Sequence, residues 1–239
     1  MAGLSSRFTK AGFTLPKYML YVRDKSLFRL AVESFREYFD SARFVFVARD
    51  VFDTEGFIAG ECRVMGIANF STVILDRPTD GQAETVLKGT ENAAVPSDEP
   101  ILIFNIDTFR PNFRLPEIAS RCDGYLECFE GEGDNWSYAR TDDGKATSRV
   151  VETAEKRRIS SFCSTGVYYF KTAGDFLTAY ELNNDERYGS GRELYVAPLY
   201  NKLIAKGEDI RVNLIDRDEV IFCGTPDEYY ETLTKEICK

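Results

Sequence analysis

Leu27, Ala31, Phe35 and Phe39 are spaced to share one face of a helix, and Ser26 stands where that helix needs a cap. The unbroken apolar run Phe44 to Ala48 then reads as a buried strand. A helix over 54–65 and a strand over 71–76 repeat the pair. A further helix over 82–94 leads to the most apolar strand of the chain, Ile101 to Ile106. Strands alternating with helices predict parallel pairing through right-handed crossovers, and in such sheets ligands bind outside the carboxyl ends of the strands.

After Asp123 the pattern changes. Short segments at 125–129, 136–140 and 146–151 alternate as strands, and Asp143-Gly144 is a tight-turn signal between the last two. They predict an antiparallel meander. Strand character returns over 162–170, a helix is expected at 175–182, and an amphipathic helix over 193–206 is expected to stop at Gly207. A strand pair at 211–215 and 220–223 precedes a closing helix from Pro226. The expected fold is α/β: a Rossmann-like, mostly parallel sheet with flanking helices and an added antiparallel β-meander, in a single domain over 1–239.

Composition narrows the chemistry. A chain of 239 residues supports one large core and is short for two independent domains of ordinary size. No stretch approaches the roughly 20 apolar residues that cross a bilayer, and the first residues lack the apolar core of a secretory signal. A cytoplasmic protein with no membrane partner is therefore expected, and a homo-oligomer is compatible with it. The net charge of -9 argues against nucleic acid as a partner, because binding it requires a basic surface that displaces counterions. A few local Arg and Lys residues can still hold a small anion. With no histidine in the chain, Ser-His and Cys-His nucleophiles and imidazole acid–base catalysis are excluded. Six scattered cysteines without a CxxC pair give zinc few ligands and are expected to be reduced structural thiols. Carboxylate, lysine or metal chemistry remains.

Two segments offer such chemistry. In Ala2-Gly3-Leu4-Ser5-Ser6-Arg7, small residues let backbone N–H groups approach phosphate oxygens, while Arg7 and the downstream Lys17 add positive charge. No Gly-Lys-Ser/Thr follows, so this is not a Walker loop. The same residues also fit a plain chain terminus. Asp107 follows the strongest strand, at the expected ligand edge, where a carboxylate can hold magnesium against phosphate oxygens. An Asp that merely starts a turn is the alternative.

The run AGLSSRFTKAGFTLPK resembles the signature loop of sugar-1-phosphate nucleotidyltransferases, a G-x-[GS]-[ST]-R-[FL] segment followed by Pro-Lys, here Pro16-Lys17. Asp80-Gly81-Gln82-Ala83-Glu84-Thr85 is similar to the family's base-recognition segment. Asn105-Ile106-Asp107 falls where the family carries its metal-binding Asp. Glu155-Lys156 and Thr165-Gly166-Val167-Tyr168-Tyr169-Phe170 resemble its acceptor-binding segments, and Gly224-Thr225-Pro226 its late turn. The match spans almost the whole chain and looks closest to enzymes of capsular or surface polysaccharide synthesis.

The resemblance implies an enzyme that joins an NMP from an NTP to a small phosphorylated acceptor and releases pyrophosphate. It implies Arg7, Lys17 and Asp107 as catalytic groups, with Mg2+ on Asp107. Ala2, Gly3, Ser6, Gly81 and Gln82 would bind nucleotide. Glu155, Lys156 and Gly166 would bind acceptor, with 123–170 as the β-rich acceptor-binding part. Attack by an already ionised phosphate needs positioning and charge neutralisation more than a base, which suits a chain without histidine.

Three features depart from the family pattern. Met1 stands directly at the loop, where an apolar strand is expected ahead of it. Phe222-Cys223 occupies the place of a second metal-binding Asp, with Asp216 and Asp218 as substitutes. Ser5 replaces the usual glycine. Cytidylyl transfer to a non-sugar phosphate such as phosphocholine or a phospho-amino acid is an alternative, as is a catalytically silent nucleotide-binding relative. A glycosyltransferase would usually carry Asp-x-Asp, and here the first position is Asn105.

Overall fold

The computed structural model describes residues 1, 3, 5–185 and 193–234, apart from the side chains of 184 and 185. In chain order the elements are α1 (Ser6–Lys10), β1 (Tyr21–Val22), β2 (Lys25–Ser26), α2 (Leu27–Glu33), β3 (Phe44–Arg49), α3 (Thr54–Met65) and β4 (Phe70–Leu75). Next come α4 (Gln82–Asn92), β5 (Ile101–Ile103), β6 (Thr108–Phe109), β7 (Gly124–Glu130), β8 (Ser137–Thr141), β9 (Val150–Glu155) and β10 (Phe162–Phe170). The last are α5 (Ala173–Asp185), α6 (Tyr200–Ala205), β11 (Ile210–Leu214), β12 (Ile221–Phe222) and α7 (Pro226–Thr234). They form two compact units, one of residues 1–79, 105–114 and 218–239 and the other of 80–104 and 115–217.

In the first unit, β3 and β4 pair in parallel, from Phe44 opposite Phe70 to Arg49 opposite Leu75. The Ser26 hydroxyl accepts from Arg29 N at 3.0 Å, so the cap read from the sequence is made, and Leu27, Ala31, Phe35 and Phe39 are all buried. Phe8, Leu27, Leu30, Ala31, Phe109 and Tyr229 belong to one apolar cluster, which anchors α1, α2, β6 and α7. β6 and β12 pair antiparallel, Thr108 opposite Phe222.

The second unit is built on β10, whose nine residues are all buried. It pairs antiparallel with β5, β7 and β8, while β11 adds to β7 in parallel. β8 and β9 form an antiparallel hairpin. Phe170, Phe176, Val196, Leu199, Tyr200 and Leu203 fill the core beneath. The α/β class read from the sequence is thus the class of the structure.

Local departures have identifiable causes. The strand read over 101–106 ends at Ile103, and Thr108 N bonds Asn105 O at 3.3 Å in a turn. The strand read over 146–151 is β9, four residues later, because Asp143 caps Lys145 N at 3.0 Å and lengthens the turn. The helix read over 193–206 begins only at a 3-10 turn, Ala197–Leu199. Pro198 stands in the first turn, where its missing N–H costs nothing, and Leu194 ahead of it is bonded to Asp80 O and Ala83 N instead of continuing the helix. The expected 211–215 and 220–223 pair does not form, since β11 joins β7 and β12 joins β6. The described cysteines, all but Cys238, are free and buried. No described helix is long and apolar enough to cross a membrane.

Candidate functional site

Lys17 and Asp107 meet in the first unit. Lys17 begins a short 3-10 turn after Pro16, and its ammonium donates to Asp107 Oδ2 with both side chains 22% exposed. Burial alone would push the Asp107 carboxyl up. The charge and hydrogen bond of Lys17 outweigh it, and the carboxyl is held below its ordinary range. The group is therefore ionised at neutral pH while still reachable from solvent.

The late Gly-Thr-Pro turn lies against this carboxylate. Cys223 N donates to Asp107 O at 2.8 Å. A side-chain carbon on Gly224 would stand 3.1 Å from Asp107 Oδ2 and 3.6 Å from Glu228 Oε2, so glycine keeps that approach open. Glu228 Oε2 accepts from Gly224 N at 2.8 Å and Thr225 N at 2.9 Å, while Glu228 N donates to the Thr225 hydroxyl at 3.3 Å. This is a capping box at the start of α7. Glu228 is a functional-site neighbour absent from the motif residues, although the T-x-x-E spacing at 225–228 is a signal for it. Asp216 and Asp218, the substitutes considered for a second acid, are both exposed.

The small-residue loop enters α1 through Ser5 in the left-handed region, φ 48. The Met1 amino group donates to Val47 O at 2.8 Å, and burial, with Lys17 nearby, pushes it down to about 5. Gly3, Ser6 and Arg7 are exposed, and an added carbon at Gly3 meets nothing within 4 Å. Ala2 lies outside the described residues.

The remaining candidates belong to the second unit. Gly81 has φ +139, and a side-chain carbon there would come 2.5 Å from Leu194 N. Leu194 N donates to Asp80 O at 2.7 Å and Ala83 N to Leu194 O at 2.9 Å, so the 80–83 segment is clamped to the chain at Leu194. Gly81 is thereby required by backbone packing whatever it does for a ligand. Gln82 opens α4 and is half-buried.

Glu155 ends β9 and accepts from the Ser137 hydroxyl, which in turn accepts from Tyr168 Oη at 3.3 Å. Burial raises the Glu155 carboxyl, and the Ser137 bond only partly offsets it. Lys156 follows at φ 51, its N–H bonded to Trp136 O at 2.9 Å. Gly166 has φ 91 in the bulge that interrupts the β7–β10 register between Ser164 and Tyr168. Beside that bulge the Thr165 hydroxyl bonds the buried Glu127 carboxylate at 3.0 Å, a residue without a motif to announce it.

No family model matches the sequence, and no curated protein matches it significantly. Among solved structures, the nucleoside-diphosphate-sugar pyrophosphorylase from Vibrio cholerae RC9 is 48% identical over 98% of each chain, with a TM-score of 0.93. A candidate glucose-1-phosphate thymidylyltransferase from Bacillus anthracis matches at TM-score 0.75 and 16% identity over 99% of this chain and 94% of its own. The inositol-1-phosphate CTP transferase from T. maritima matches at 0.71 and 14%, over 99% and 95%. The last two share the fold, whereas the first is similar along the whole sequence. The chain therefore belongs to the nucleoside-diphosphate-sugar pyrophosphorylase family, and it is an enzyme of the nucleotidyltransferase class.

Proposed function

We propose that this enzyme transfers an NMP from an NTP to a sugar 1-phosphate and releases pyrophosphate, making an activated sugar for capsular or surface polysaccharide synthesis. The observation that carries this reading is the 48% identity to the Vibrio cholerae pyrophosphorylase over 98% of both chains. In the proposed reaction an acceptor phosphate oxygen attacks the α-phosphorus in line with the leaving pyrophosphate. Arg7 draws off charge that develops on the pyrophosphate, and Lys17 steadies the phosphates. Ala2, Gly3 and Ser6 offer backbone N–H groups to them, Gly81 and Gln82 hold the base, and Glu155, Lys156 and Gly166 hold the acceptor.

Magnesium fits the donor set. Asp107 is an ionised, partly exposed oxygen donor next to a glycine backbone. Among the described residues no group of three or more potential ligands could form a closed metal cage. Magnesium commonly accepts such a set, one or two carboxylates completed by substrate phosphates and water. Bound there, it would neutralise phosphate charge.

Pyrophosphate release measured with each NTP against a panel of sugar 1-phosphates tests the proposal. Turnover with one nucleotide and one sugar phosphate is expected. Release only with CTP and phosphocholine, inositol 1-phosphate or a phospho-amino acid would replace the sugar with a non-sugar acceptor.

A further inference from the structure

Lys156 is exposed at the end of β9, yet its ammonium has a built partner in Tyr195. Lys156 Nζ donates to Tyr195 Oη at 2.6 Å and lies 4.7 Å from the centre of the same ring, which places the ammonium at the hydroxyl edge, where the phenol lone pairs accept it. Tyr195 Oη in turn donates its proton to Glu193 Oε2. That leaves the phenol lone pairs for the ammonium and fixes which way each bond runs. Lys156 spends one of its three N–H groups on Tyr195, and among the described residues the other two are left for an anion.

Both ends of this arrangement are held by backbone. Lys156 is pinned through Trp136 O, and Tyr195 directly follows Leu194, whose N–H and carbonyl are both bonded to the 80–83 segment. On its other side Val196 and Ala197 are fully buried. A lysine on a flexible four-carbon stem is ordinarily a mobile charge. Here its ammonium is held by the Tyr195 hydroxyl before any ligand arrives.

We propose that Tyr195 is the positioning residue for Lys156, presenting its ammonium to the phosphate of the acceptor. The proposal rests on the reading of Lys156 as an acceptor ligand and adds the group that makes it effective. Tyr195 need not touch the acceptor. Its hydroxyl holds the ammonium in one place, so the phosphate meets a pre-ordered charge.

The test is a double-mutant cycle on the full chain, with Lys156→Ala, Tyr195→Phe and the pair. Calorimetry reads the affinity for glucose 1-phosphate, galactose 1-phosphate, mannose 1-phosphate and inorganic phosphate, with glucose as the phosphate-free control. Tyr195→Phe keeps the ring and loses the hydroxyl. It should weaken phosphate-ester binding about three- to tenfold, leave NTP binding unchanged, and have no further effect when combined with Lys156→Ala. Turnover should show the same loss in the acceptor KM rather than in kcat. If Lys156→Ala itself leaves phosphate-ester binding unchanged, the reading of Lys156 falls, and the proposal with it. If Lys156→Ala weakens binding while Tyr195→Phe does not, or if Tyr195→Phe acts equally with and without Lys156→Ala, the positioning role alone is overturned.

Discussion

The Lys17 ammonium group donates to the Asp107 carboxylate, joining side chains 90 positions apart in sequence. The lysine comes from the Pro-Lys pair and the aspartate from the turn after Ile103. Their pairing ties together two residues that the motifs picked out in the first unit.

If Asp107 and Arg7 act on the phosphates, removing either strips charge compensation from the transfer step. Asp107→Ala and Arg7→Ala should each lower pyrophosphate release by about 100- to 1,000-fold with the circular dichroism spectrum unchanged. Near-normal rates in both variants, with a substrate the parent accepts, would show the site assignment to be wrong.

The Lys17 pairing also sets a pH dependence. Because the folded Asp107 carboxyl lies below its ordinary value of 3.8, the unfolded chain holds that proton more tightly. The stabilisation is fully present above about pH 4 and is lost as pH falls through the folded value. Asp107→Asn should therefore lower the urea midpoint at pH 7, and the gap to the parent should narrow at pH 3. A gap of constant size at both pH values would exclude the ion pair as its source.

Two glycines that the motifs pick out as nucleotide-binding, one in each unit, separate structural from functional demands. Gly81→Ala forces a carbon against Leu194 at a φ that L-residues rarely adopt, and should cost about 3 kcal/mol in urea unfolding. Gly3→Ala meets open space and should stay within about 0.5 kcal/mol of the parent while weakening NTP binding. Equal unfolding curves for the two variants would contradict the clamp at Leu194.

Glu228 satisfies two N–H groups at the turn that faces Asp107. Glu228→Ala should cost about 1–2 kcal/mol, and Glu228→Gln, which keeps an acceptor oxygen, less than half of that. Urea denaturation of both variants reads the difference. If Gln were as costly as Ala, hydrogen bonding would not be what Glu228 contributes.

Much of the fold was legible because its signals are local. A helix was read around Thr54–Met65, a strand over Phe162–Phe170, and the Ser26 cap from its place ahead of Leu27, and each is found there. The motif segments, in family order, pointed to the nucleotidyltransferase class. What failed was pairing between distant segments. β11 and β12 look like a hairpin along the chain but join β7 and β6, since partner choice depends on which edges the packed core leaves open.

The α/β class, most helix positions and the types of residue that can do this chemistry were readable from the chain alone, because propensity, periodicity and the lack of histidine act without long-range contacts. It took the folded chain to reveal that Lys17 pairs with Asp107, that Gly81 is locked by Leu194, and that Tyr195 holds Lys156. Those relations join residues that chain spacing does not connect. They arise where packing brings separate segments within hydrogen-bonding distance.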